Sequence, residues 1–196
     1  MTIPKTDINQ PSAEKAISPK LAARPYPKQW ERKKTLTGGG SILLRPVKPE
    51  DESLLSGFIQ KCDPEDIRQR LFEPLRVLPH DVEVLFTRID YARTMVFVAI
   101  DEKTGELLGI IHLISASDST HAEYAVMTRS DVKKHGVGLA LTELLIDYAR
   151  AEGVDELWGQ IMRDNRAMLK ICQDSGVQVV TDPSDPIYLL ATLRLK

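Results

Sequence analysis

The sequence predicts an α/β domain built on a mixed sheet. Two apolar runs, residues 95–100 and 107–114, flank the turn Glu102-Lys103-Thr104-Gly105 and read as an antiparallel hairpin. Residues 121–128, 136–152 and 156–162 read as strand, long apolar-faced helix and strand, a crossover of the kind that joins parallel neighbours. Hairpins and crossovers in one chain require a sheet of both senses with helices laid on it.

The elements follow in order. Residues 1–40 carry Pro4, Pro11, Pro19, Pro25 and Pro27, many Lys and Arg, and a closing Gly38-Gly39-Gly40, so they are expected to form a flexible Pro-rich extension. Trp30 is the exception, an aromatic expected to dock on the domain. Residues 41–196 form the domain itself. Ile42-Leu43-Leu44-Arg45-Pro46 is a strand stopped by proline. Leu54, Leu55, Phe58 and Ile59 mark one face of a helix over residues 49–62. Asp63 and Pro64 open a second helix that runs to Phe72, with Asp63 as cap. A short helix follows over residues 80–88. After the crossover, whose helix Gly153 ends, come a helix over residues 165–175 ended by Gly176 and strands over residues 177–180 and 187–195.

Composition excludes several functions. A net charge of −2 speaks against nucleic acid as the main partner. No apolar run approaches the ~20 residues that span a bilayer, so no membrane role is expected. Cys62 and Cys172 are far apart, which fits reduced thiols and a cytoplasmic protein. His80, His112, His121 and His135 show no ligand spacing, so no metal is expected.

Two features carry chemistry. Lys133-Lys134-His135-Gly136-Val137-Gly138 lies between a strand and an apolar helix. Its glycines allow a tight turn whose N–H groups converge on an anion, and the helix start adds a partial positive charge. Taken alone, the loop serves equally as a plain strand-to-helix turn. Glu123 sits in the otherwise apolar stretch Ala122-Glu123-Tyr124-Ala125-Val126. It reads either as a solvent-facing glutamate or as a carboxylate tuned by burial.

Together these segments resemble the GNAT superfamily of N-acetyltransferases. Lys133-Lys134-His135-Gly136-Val137-Gly138 is similar to the family pattern Gln/Arg-x-x-Gly-x-Gly/Ala, with Lys133 at the Gln/Arg position. Asn165, Ala167-Met168 and Gly176-Val177 resemble its Asn-x-x-Ala…Gly-Phe helix, with Val177 for Phe. The stretches PYPKQWERKKTL, LLRPVKPEDE, RIDYARTMVFVAI, AEYAVMTRSDVKKHGVG and DNRAML look like the acetyltransferase domain of Pat-type bacterial protein lysine acetyltransferases.

The resemblance implies the GNAT fold: a mixed, mostly antiparallel central sheet, helices on both faces, and fourth and fifth strands, counted from Ile42, that splay apart. It implies acetyl-CoA as cosubstrate and Glu123 as general base. Backbone groups of Val126, Met127 and Thr128 would receive the pantetheine arm, and one of their amides could stabilise the developing oxyanion. Lys133, Lys134, His135, Gly136, Val137 and Gly138 would hold the diphosphate, and Asn165 would complete the cofactor site. Where many relatives place a tyrosine acid this chain has Cys172, read as an inert small hydrophobe. The implied substrate is an active-site lysine of an acyl-CoA synthetase. A small amine, a protein N-terminus, or a non-catalytic acetyl-CoA-binding role are the alternatives.

Overall fold

A computed structural model describes residues 23–37, 39–72, 80–174 and 176–196. Pro4, Pro11, Pro19, Gly38 and Ser175 lie outside the described residues. Eight strands form one sheet: β1 (Arg32–Thr35), β2 (Ser41–Pro46), β3 (Thr94–Asp101), β4 (Leu107–Ser115), β5 (His121–Thr128), β6 (Glu156–Met162), β7 (Gln178–Thr181) and β8 (Tyr188–Arg194). Their order across the sheet is β1-β2-β3-β4-β5-β6-β8-β7. Every neighbouring pair is antiparallel except β5–β6. The helices are α1 (Glu52–Gln60), α2 (Pro64–Leu71), α3 (His80–Thr87), α4 (Val137–Glu152) and α5 (Arg166–Asp174).

Alternation along the strands sends their side chains into two cores. Ile42, Phe97, Ile111, Leu113 and Leu157 face α4, whose Leu141, Leu144, Leu145 and Tyr148 are all at most 2% exposed. Val96, Val98, Ile110 and Met127 face the opposite way, toward Leu55, Phe58 and Ile59 of α1 and Ile67 of α2. A smaller cluster of Ile161, Cys172 and Ala191 seats α5 beside α4. Helices therefore lie on both faces of a mostly antiparallel sheet, as the resemblance implied.

The sheet takes in residues before 41. β1 pairs with β2 through Arg32↔Leu44 to Thr35↔Ser41. Trp30 docks as expected, with its ring 5.3 Å from Tyr148 and 6.5 Å from Phe97. Arg24 donates to Glu152 at 2.8 Å, so the described part of the extension is fastened along α4. Backbone pairing and one aromatic anchor thus order the described residues from 28 to 35, which their polar side chains could not announce. The Asp63 cap is corrected. Asp63 has the extended backbone of a cap but no side-chain capping bond, and its amide donates to Ser130 Oγ at 2.6 Å.

The β5–β6 pair positions everything that follows. It runs for three register pairs, His121↔Glu156, Ala122↔Leu157 and Glu123↔Trp158, and then the strands part. Counted from Ile42 these are the fourth and fifth strands, so the expected splay is present. Gly159 sits where they separate: a Cβ there would lie 2.7 Å from the Tyr124 carbonyl oxygen.

Candidate active site

The parted strands enclose a cleft of about 160 Å³. Its floor is the β5 segment from Glu123 to Thr128, and Gly159, Gln160 and Ile161 of β6 form the facing wall. Beyond Glu123 the β6-side edge of β5 has no strand partner, so its backbone groups face the gap. Lys133 and Gly138, around the start of α4, and Asn165, Ala167 and Met168, around the start of α5, complete its lining.

The loop before α4 has the backbone an anion site needs. Lys134 and Gly136 are both left-handed, at φ 66° and φ 92°, so the chain turns sharply into the helix. The first α4 bond among these residues is Ala140 N–H to Gly136 carbonyl at 2.9 Å. The amides of Val137, Gly138 and Leu139 therefore belong to the turn that a helix start leaves without intrahelical acceptors. The Val137 side chain is buried in the core, which leaves only its backbone for a ligand. Lys134 and His135 are exposed. Lys133 is ion-paired with Asp66 of α2, which also accepts from Ser130 Oγ at 2.5 Å.

Glu123 lies on the face of β5 that looks toward α2, away from α4. It is largely buried, and burial raises its carboxyl above the ordinary glutamate value, while the Arg70 guanidinium opposes the rise. Arg70 of α2 lines the same cleft. Its Nη2 donates to His112 Nδ1 at 2.8 Å. A guanidinium carries only donors, so that nitrogen is the acceptor and the ring proton sits on Nε2. Burial, and then Arg70, hold the His112 pKa well below its ordinary value, so the ring is neutral at physiological pH. Phe86 stacks on the His112 ring with centroids 6.1 Å apart and lies 5.8 Å from the Arg70 guanidinium carbon.

Of the residues singled out in the sequence, Glu123, Val126, Met127, Thr128, Lys133, Gly138 and Asn165 line one cleft. Lys134, His135, Gly136 and Val137 supply the adjoining loop. Asn165 also caps α5, because its Oδ1 accepts from the Met168 amide at 3.0 Å. Cys172 lies outside the main cleft, fully buried, and burial pushes its thiol up. Asp66, Arg70 and Gly159 were not anticipated. No motif spacing links α2 to β5; only the fold brings them together.

A sheet that opens along one strand edge, beside a helix start suited to an anion, defines an acyl-CoA-using transferase as a class. Residues 41–178 match the family described as Acetyltransferase (GNAT) domain, and the chain belongs to that acetyltransferase family. It is 28% identical over 163 residues to Acetyltransferase PA5475 of Pseudomonas aeruginosa, covering 82% of this chain and 88% of that protein. It is 31% identical over 142 residues to Acetyltransferase Pat of Mycolicibacterium smegmatis, covering 70% of this chain but 41% of that longer protein. The fold matches the GNAT domain of S. lividans PAT with a TM-score of 0.81 at 22% identity, covering 87% of this chain and 99% of that domain. GNAT acetyltransferases use acetyl-CoA. Among the described residues no helix is long and apolar enough to cross a membrane.

Proposed function

We propose that this chain is a protein lysine acetyltransferase that uses acetyl-CoA, with Glu123 as general base and an active-site lysine of an acyl-CoA synthetase as acceptor. The observation that carries the reading is the position of Glu123. It is a largely buried carboxylate at the last paired rung of β5, where the cleft begins, on the α2 side from which an acceptor would arrive. Similarity to the Pat proteins supports the substrate class.

The fit to the cosubstrate is physical. An unpaired strand edge can hydrogen-bond an amide-bearing arm as an added strand does. The amides at the start of α4, with Lys133 and Lys134, suit a diphosphate. Bound acetyl-CoA supplies a thioester whose acetyl group passes to the amine as its thiolate leaves. Val126, Met127 and Thr128 hold the arm through their backbone. Glu123 takes a proton from the acceptor ammonium, which with a reference pKa near ~10.4 is otherwise almost wholly charged at neutral pH. A raised carboxyl pKa narrows the gap between base and amine, and the Arg70 guanidinium opposes part of the rise.

The test combines two arms. Incubation with acetyl-CoA and an acyl-CoA synthetase, followed by mass spectrometry, should find acetyl on the active-site lysine. Glu123→Ala should bind acetyl-CoA as the parent does while turnover falls by about 10²–10⁴-fold, the usual contribution of a positioned base. Near-normal turnover in that variant removes Glu123 from the role. Transfer only to small amines removes the protein substrate.

A further inference from the structure

The wall facing Glu123 carries an amide whose direction is set from outside the cleft. Gln160 of β6 lines the cleft together with Glu123. Glu123 stands beside Trp158 in the parallel register, and aligned residues of a sheet share a face. Gln160, two residues further along β6, therefore lies on the α2 face as Glu123 does. Met162, two residues further still, looks the same way, since Arg68 of α2 donates to its sulfur at 3.1 Å. Two strand residues advance about 7 Å and neighbouring strands lie about 4.8 Å apart, so the backbones carrying Glu123 and Gln160 stand roughly 8 Å or more apart across the widening gap. That leaves room for one amine between two long side chains.

Gln160 is held by the segment that follows β7. Its Nε2 donates to Asp182 Oδ2 at 2.6 Å. Asp182 is 5% exposed, and its Oδ1 accepts from the Ser184 hydroxyl at 2.6 Å and the Ser184 amide at 2.8 Å. The bonds from Ser184 and Gln160 hold its carboxyl down to about 2, so it stays ionised and only accepts. That fixes the amide, with the Gln160 nitrogen toward Asp182 and the oxygen away from it. In the sheet β8 lies on one side of β6 and the gap on the other. Asp182 is on the β8 side, its amide bonded to the Tyr188 carbonyl at 3.1 Å, so the Gln160 oxygen is left for the gap. Among the described residues nothing donates to that oxygen.

We propose that Gln160, oriented by Asp182, is a positioning residue that accepts a hydrogen bond from the acceptor ammonium through Oε1 and so holds the amine opposite Glu123. One N–H of the ammonium passes to Glu123 as a proton, and a second bonds to Gln160 without transfer. The freed lone pair then forms the C–N bond as the C–S bond of the thioester breaks and the thiolate leaves. The Asp182 charge strengthens the acceptor through the shared amide. A carboxylate in place of that amide would set a second negative charge across from Glu123 and favour a neutral carboxyl. The proposal rests on the reading of the cleft as a site that acetylates amines.

The experiment compares the parent, Gln160→Leu and Asp182→Asn in steady-state acetylation of the synthetase lysine, with acetyl-CoA affinity by calorimetry and the melting temperature measured alongside. Gln160→Leu should lower kcat/KM for the acceptor about 10–100-fold, the worth of one hydrogen bond to a charged group, through a higher acceptor KM and with the acetyl-CoA Kd unchanged. Asp182→Asn is the sharper arm, because Asp182 does not line the cleft. Ser184 still offers two donors, so the new amide keeps its oxygen there and turns its nitrogen to Gln160. Gln160 then flips to accept, and presents N–H to the ammonium. The same kcat/KM should fall at least as far as in Gln160→Leu, and adding Asp182→Asn to Gln160→Leu should have no further effect. Parent acceptor kinetics in either folded single variant overturn the proposal. So does a lower melting temperature with an unchanged acceptor KM, the result expected if Gln160 only pins the segment after β7. Should Asp182→Asn fail to fold, Gln160→Leu decides alone, its side chain being exposed. Should Glu123→Ala keep full turnover while Gln160→Leu still raises the acceptor KM, the base assignment fails and the positioning role stands. Should only small amines be acetylated, the same comparison is read with such an amine, because the ammonium is what Gln160 recognises.

Discussion

Replacing Gly159 with alanine should cost more stability than its single methyl group suggests. The added Cβ would lie 2.7 Å from the Tyr124 carbonyl oxygen, closer than the 3.0 Å below which real Cβ contacts essentially never fall. Restoring a contact of 3.4 Å requires 3.4 − 2.7 = 0.7 Å of movement between two backbones. Neither yields freely. β5 is paired to β4 from Gly109↔Thr128 to Ser115↔Ala122, and β6 to β8 along its whole length. Overpacking of this kind typically costs about 1–3 kcal/mol. At about 2 kcal/mol, a chain of this size should melt roughly 4–8 °C lower. Gly109→Ala is the matched control. Its Cβ would meet Leu141 Cδ1 at 2.9 Å, Val137 Cγ1 at 3.0 Å and Thr128 Cγ2 at 3.2 Å, side-chain rather than backbone atoms. Thermal unfolding followed by circular dichroism at one protein concentration compares the two. A Gly159→Ala protein with the parent melting temperature, or one less damaged than Gly109→Ala, would refute the reasoning.

Two further outcomes follow from the site. Asp66→Asn should tighten coenzyme A binding about two- to threefold at low salt, because it frees Lys133 and removes a negative charge from the cleft; the pair is partly exposed, so the effect stays near ~0.5 kcal/mol. Calorimetry should show that gain shrinking at high salt, and weaker binding would mean that Asp66 has a role other than holding Lys133. Cys172→Ala should keep the parent kcat and lose about 1 kcal/mol of stability, since the thiol is fully buried outside the main cleft; a large loss of kcat with normal folding would make it a proton donor.

Most of the sheet was legible because burial on both faces leaves a continuous apolar run. Met95 to Ile100 reads as such a run, and each of its residues is at most 9% exposed. The long crossover helix was legible from its ends, where Gly136 and Gly153 both adopt left-handed backbone. β1 was not, because an edge strand need not bury its side chains. Arg32, Lys33 and Lys34 show no alternation of apolar and polar residues, and all three reach out to acids, Asp147, Glu102 and Glu143. Lysine and arginine on an edge also discourage pairing with another chain, so the composition that hid the strand suits its place. The loop and Glu123 were legible as residue types in context. Arg70 and His112 were not, because 42 residues separate them and neither belongs to a spaced motif. A half-buried arginine is announced by its neighbours in space, and a sequence shows only neighbours along the chain.

The place of the candidate base follows from the one parallel pair in the sheet. On the α2 face of β5 the candidates in turn are His121, Glu123 and Ala125. At His121 the strands are still paired and the side chain is exposed, bonded to Asp118 at 3.0 Å. At Ala125 they have already parted. Only residue 123 is both held by pairing on each side and open to the gap ahead of it. Pairing fixes the backbone that carries the carboxylate, and the divergence one residue later supplies the space for a substrate to reach it. Gly159 marks that divergence from the β6 side, lying against the Tyr124 carbonyl next to Glu123. The opening of the sheet and the placement of its candidate base are therefore one geometric event. A change that lengthened the β5–β6 pairing by even one rung would bury the carboxylate and narrow the cleft together.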